Sequence, residues 1–249
     1  MSGAASGEPP WVTAEGSHAV VLALDTAGLA CSVAVTVGGE IAYAERLEST
    51  RGQAERLLPM VDRALSRTGL PPEALDFVAV TVGPGSFTGI RIGLAAARGI
   101  ALATDARLIG VTSFEAVAAT RAKGGWFLLV ALESRREDLF VQRFDPRGDP
   151  IGEPAAVMPE ELDDVVNAWI GAEPLLVAGD AAQRAAAALS SRAAATVLDD
   201  SPPDAIGALR AALGRLHPRE QRIAARPFYL RSPGITLAPK HRNPGLGPA

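Results

Sequence analysis

The chain has 249 residues, 48% of them hydrophobic, enough to bury a substantial core arranged as two related lobes. Its formal net charge of −4 provides no global basic field, so any RNA is expected to be held mainly by a partner. The lone cysteine, Cys31, excludes an internal disulfide, and the longest apolar stretch, residues 93–103, is too short and too interrupted by Arg98 to span a bilayer.

Residues 1–18, rich in Gly, Ala, Ser, Pro and Glu with one tryptophan, read as a disordered leader and not as a basic targeting segment. Together with the single cysteine this points to a reducing cytoplasm. From there the chain alternates. Residues 20–25 form an apolar strand, 31–37 a second, and Gly38-Gly39 turns a hairpin into a third at 40–47. A helix follows with Ala54, Leu57, Leu58, Val61 and Leu65 at helical spacing. Residues 76–82 read as a fourth strand, a glycine-rich turn opens a helix over 90–104, 108–111 is a short fifth strand, and Ser113 caps a helix to Ala122. The second half repeats that order: strands at 127–133, 138–144 and 151–157, a helix at 160–170, a strand at 175–178, a helix at 181–191, a strand at 195–198 and a helix at 204–216.

This order predicts an α/β protein of two actin-like, Hsp70-ATPase-like (ribonuclease H-like) lobes, each built on a βββαβα pattern. The expected divisions are a leader at 1–18, a first lobe at 19–112 carrying partner-binding helices, a second lobe at 113–217 and a tail at 218–249.

The most informative segment is Gly83-Pro84-Gly85-Ser86-Phe87-Thr88-Gly89-Ile90-Arg91-Ile92-Gly93. It joins a strand to a helix with Ser86 placed as N-cap, where α/β proteins present backbone N–H groups. Its glycines miss the dinucleotide spacing, and no Gly-Lys-Ser/Thr follows. Behind it, Gly89, Gly93, Ala97 and Ala101 recur every fourth residue and make a ridge almost bare of side chains. Each helical glycine costs about 1 kcal/mol relative to alanine, so close packing is expected in return. Two readings stay open: the ridge seats on the protein's own sheet, or it faces a partner helix with Leu57, Val61 and Leu65 beside it.

The catalytic inventory is thin. Asp25-Thr26 ends the first strand, either capping a turn or, with Gly83, Gly85 and Ser86, standing near a nucleotide phosphate. His18, His217 and His241 lie far apart and share no metal-ligand spacing, so no metal site is expected, and Ser86 has no identifiable His partner. Arg135-Arg136-Glu137-Asp138 reads as a solvated hairpin turn, and Arg91 and Arg98 share a helix face that suits phosphate or a partner's acids.

The 83–93 segment resembles the signature of the TsaB (YeaZ) family, bacterial dimerization subunits of tRNA threonylcarbamoyladenosine synthesis. The resemblance extends to residues 22–27, 30–34, 56–61, 109–113 and the late Pro227-Phe228-Tyr229-Leu230-Arg231, and covers about 20–235. It implies a non-catalytic subunit that pairs with a catalytic homologue, TsaD, and works with an ATPase, TsaE. The assembly transfers threonylcarbamoyl to the adenosine beside a tRNA anticodon. The resemblance also implies that the first-lobe helices form the pairing surface, which can support a homodimer. No cofactor is expected to bind tightly to the subunit alone; ATP or ADP and a divalent metal are left to the complex. Gln53 stands where the family commonly has histidine, and Glu133-Ser134-Arg135 where it has Asp-Ala-Arg. A stand-alone phosphotransferase of the sugar-kinase and actin superfamily, using Asp25 and the glycine turn, is the enzyme alternative; a peptidase is a weaker one.

Overall fold

The computed structural model describes residues 19–48, 52–122, 125–170, 173–189, 195–199, 201–216 and 225–231. The leader, all three histidines and the tail beyond Arg231 lie outside the described residues.

Among the described residues, ten strands and six α-helices follow the expected order. They are β1 Val21–Asp25, β2 Ala30–Val37, β3 Glu40–Glu48, α1 Gln53–Thr68, β4 Phe77–Gly83, α2 Phe87–Thr104, β5 Arg107–Thr112 and α3 Ser113–Arg121. The second half gives β6 Phe127–Glu133, β7 Leu139–Phe144, β8 Pro150–Val157, α4 Leu162–Ile170, β9 Leu175–Ala178, α5 Ala182–Ala188, β10 Ala195–Asp199 and α6 Ala205–Gly214. The first sheet runs β3-β2-β1-β4-β5 and the second β8-β7-β6-β9-β10, the same order repeated. In each, a three-strand antiparallel meander is extended by two parallel strands. Tight turns serve the meanders, and the parallel pairs need helical crossovers.

The strands of the first sheet are apolar on both faces because both are covered. Leu22, Leu24, Val33, Val78 and Val80 pack under α1 and α2, which contribute Leu57, Met60, Ile90 and Leu94. Val21, Ala23, Ala79 and Ile109 point the other way and meet Ala205, Ala208, Leu209 and Ala212 of α6. Thus α6, expected in the second lobe, closes the far face of the first sheet. Its small residues allow that approach, with Gly207 seated on the Ala116 carbonyl of α3. Glu115 of α3 pairs with Arg215, whose Nη1 also donates to the Gly110 carbonyl at 2.6 Å. α3 begins one residue earlier than a Ser113 cap requires. Thr112 is its N-cap, bonded reciprocally with Glu115 in a capping box.

The other side of α3 serves the second sheet, where Phe114, Val117 and Ala118 join Leu128, Val130 and Phe144. The opposite face of that sheet is covered by α4 and α5 through Leu162, Val166, Ala182 and Ala185. Among the described residues no helix is long and apolar enough to cross a membrane.

Candidate partner-binding face and interlobe cleft

The glycine turn delivers α2 from the end of β4. Ser86 caps it by accepting from the Gly89 amide at 3.2 Å. One side of α2 lies directly on the end of β1. A Cβ on Gly89 would fall on the Thr26 carbonyl oxygen, and one on Gly93 would stand 2.6 Å from Thr26 Oγ1 and 3.4 Å from Val80. Thr26 Oγ1 in turn donates to the Gly89 carbonyl at 2.7 Å, tying strand to helix at the point of closest approach.

This decides between the two readings of the ridge. Leu57, Val61, Leu65, Gly89, Gly93 and Ala97, expected to meet a partner, are buried in the chain's own first-lobe core, and Ala101 is partly buried against the same cluster. α2 is small on both sides, so its inner and outer faces have similar residues in the sequence. The outward side is the one left open. Ala54, Leu58, Ile92, Ala95, Gly99 and Ala103 line an apolar groove of about 530 Å³ between α1 and α2, with Leu57 alone of the expected set reaching it. Leu58, read with Ala54, Leu57, Val61 and Leu65 as one apolar face, is 54% exposed, and Leu102 beyond the groove is 87% exposed. Large apolar side chains are thus left in water beside a continuous apolar furrow.

A second concavity, about 270 Å³, separates the lobes. Its first-lobe wall is the turn Ala27-Gly28-Leu29 with Pro84-Gly85-Ser86, and its second-lobe wall carries Leu132, Glu133, Arg135 and Asp180. Gly85 and Ser86 therefore line the cleft, whereas Asp25, Thr26 and Gly83 do not. The Ser86 amide donates to the Ala27 carbonyl at 2.7 Å, so this N–H is engaged within the protein.

Asp25 is fully buried. Its Oδ1 accepts from Thr81 Oγ1 at 2.5 Å and from the Ala27 amide at 3.3 Å, while Oδ2 has no hydrogen-bond partner among the described residues. Burial pushes this carboxyl up to about 7, against the lowering influence of the Thr81 hydroxyl. On the opposite wall, Glu133 pairs with Arg184 at 2.5 Å, and Asp180 accepts from the Glu133 amide at 2.9 Å. Asp180 is raised by burial and then by the Glu133 charge beside it.

Gln53 donates Nε2 to the Ala30 carbonyl at 3.1 Å and clips α1 to the start of β2. Arg91 and Arg98 hold the segment 225–229: Arg98 donates to the Ala225 carbonyl at 2.9 Å and Arg91 to the Tyr229 hydroxyl at 3.3 Å. The 135–138 turn is not wholly solvated, because Asp138 is 2% exposed and paired with Arg231 at 2.8 Å. That pairing joins residues 93 positions apart, so nothing local in the sequence signals it. Among the described residues, no three His, Cys, Asp or Glu side chains cluster to hold a metal ion.

Two sheets of identical strand order, each covered by helices and with a cleft between the two lobes, define a two-lobed α/β protein. The family model described as TsaD: tRNA N6-adenosine threonylcarbamoyltransferase matches residues 47–173, and the chain belongs to that family, on its TsaB (YeaZ) branch.

Over 98 residues the chain is 41% identical to the tRNA threonylcarbamoyladenosine biosynthesis protein TsaB of Haemophilus influenzae, covering 39% of this chain and 41% of the relative. Over 122 residues it is 37% identical to the TsaB protein of Escherichia coli, covering 48% and 52%. These matches span about half the length of the curated relatives. The solved structure of YeaZ from Pseudomonas aeruginosa superposes with a TM-score of 0.73 at 28% identity, over 85% of this chain and all of that one.

Proposed function

We propose that this chain is a non-catalytic subunit of tRNA N6-threonylcarbamoyladenosine synthesis. It pairs with and activates a catalytic TsaD homologue, in a system completed by the TsaE ATPase. The observation that carries this reading is the apolar groove between α1 and α2, lined by Ala54, Leu58, Ile92, Ala95, Gly99 and Ala103. Small residues at Ala95, Gly99 and Ala103 let a partner helix approach closely, and Leu58 supplies the apolar anchor. The same groove suits a second copy of the chain when the partner is absent. The names of the TsaB relatives and the family match support the pathway, and the reading leaves nucleotide and metal to the complex. tRNA is met through the assembly, whose partner supplies the basic surface that this chain's net charge of −4 does not. The proposal places the chain in the cytoplasm.

The test is reconstitution with purified TsaD, TsaE and tRNA. The chain alone is expected to form no modified adenosine, and the full set to form it. Leu58→Arg, at a side chain already in water, is expected to leave the far-UV circular dichroism unchanged while abolishing co-elution with TsaD and modification. Modification by this chain alone, or normal pairing by Leu58→Arg, would overturn the proposal.

A further inference from the structure

Residues 225–231 lie where the two lobes meet, and they are fastened to both. On the first lobe, the Phe228 amide donates to the Val82 carbonyl of β4 at 2.8 Å. The Phe228 carbonyl lies 2.5 Å from where a Cβ on Gly83 would stand, an approach that only glycine at that position permits. Arg98 holds the Ala225 carbonyl, Arg91 holds the Tyr229 hydroxyl, and the Tyr229 ring stacks 5.3 Å from Phe87 at the start of α2. On the second lobe, Leu230 packs with Leu128, Val130 and Phe144. Phe228 belongs to the apolar clusters of both lobes.

The outermost attachment is polar. Arg231 reaches Asp138 Oδ2 at 2.8 Å, and the same carboxylate accepts from Ser134 Oγ at 3.0 Å through Oδ1. Ser134 also donates to the Asp138 carbonyl at 2.7 Å and accepts from the Arg136 amide at 3.1 Å. The attachment therefore grips the 134–138 turn, whose Arg135 stands in the wall of the interlobe cleft beside Glu133. Asp138 is buried, so releasing Arg231 leaves a carboxylate in low dielectric without its counter-charge, a strong bias toward the fastened state. A strap anchored to both lobes opposes relative motion between them.

We propose that residues 225–231 are a clasp that fixes the angle between the lobes and with it the width of the cleft, with Arg231 and Asp138 as its catch. This goes beyond the partner reading and does not depend on it, because the clasp acts within one chain. Spin labels at Glu73→Cys on the first lobe and Glu153→Cys on the second report the angle. Both positions are exposed, and Cys31 is buried and left in place. The labelled chain is expected to give one narrow distance distribution by pulsed dipolar spectroscopy. Arg231→Gln, at a partly exposed side chain, is expected at least to double its width or to shift its maximum. Asp138→Asn, which keeps the shape of the buried group, provides an independent second variant should the first not fold. Broadening or a shift in a folded variant supports the clasp. A distribution unchanged in every folded variant overturns it, whatever the effect on melting temperature.

Discussion

Asp25 offers the sharpest test of the first-lobe interior. Its carboxyl is held up at about 7 against an ordinary 3.8, with burial as the main cause. A raised carboxyl keeps its proton in the folded chain where the unfolded chain has already lost it. Stability is therefore fully present below the unfolded value, falls as pH rises through the window from 3.8 to about 7, and levels off above it. The shift of about three units, at about 1.36 kcal/mol each, amounts to about 4 kcal/mol lost across that window. Asp25→Asn removes the titration while preserving an oxygen to accept from Thr81. It also sets an amide where Oδ2 has no partner among the described residues, at a cost of about 1–3 kcal/mol. The variant is thus expected to be less stable than the parent by about 1–3 kcal/mol near about pH 4 and more stable by a similar amount near about pH 8. Urea unfolding at both pH values, followed by tryptophan fluorescence and far-UV circular dichroism, measures the crossing. A stability difference that does not change with pH would refute the assignment of a buried, protonated Asp25.

Three further outcomes follow from the interior contacts. Gly93→Leu, which drives a side chain into Thr26 and Val80, is expected to destabilise the lone chain by about 1–3 kcal/mol or more through overpacking, seen as a lowered thermal midpoint. Arg215→Leu leaves Glu115 and the Gly110 carbonyl without their guanidinium and is expected to cost about 3–5 kcal/mol in chemical denaturation; a loss under about 1 kcal/mol would show the pair to be dispensable. Cys31, buried and pushed up to about 11 chiefly by desolvation, is expected to react with a thiol reagent at neutral pH only as fast as the chain unfolds.

Much of the architecture is legible in the sequence because apolar period and turn chemistry agree along the chain. The strand at 77–83, the Ser86 cap and the helix to Thr104 follow from a β-branched run, a glycine turn and a helical repeat in succession. The face that α2 presents is not legible, since Gly93 and Ala97 on the inner side and Ala95 and Gly99 on the outer side are equally small. The burial of Asp25 is half legible: a strand-terminal acid is visible, but the coverage that removes it from water comes from elements far along the chain. Asp138 reads locally as part of a solvated turn, and only tertiary structure pairs it with Arg231. The destination of α6 is hidden for a related reason. An alanine-rich stripe such as Ala205, Ala208 and Ala212 fits any flat apolar sheet, and its sequence does not say which one.

That destination has a consequence for how the molecule is made. Val21, Ala23 and Ala79 of the first sheet wait for a helix encoded some hundred residues after the last strand of that sheet, Arg107–Thr112 against Ala205–Gly214. During synthesis the first half emerges with one side clothed by α1 and α2 and the other covered only in part, by Ala116 of α3. It must hold that state through the translation of the whole second sheet. The two halves are therefore not finished in the order in which they are written: the last helix of the chain completes its first sheet.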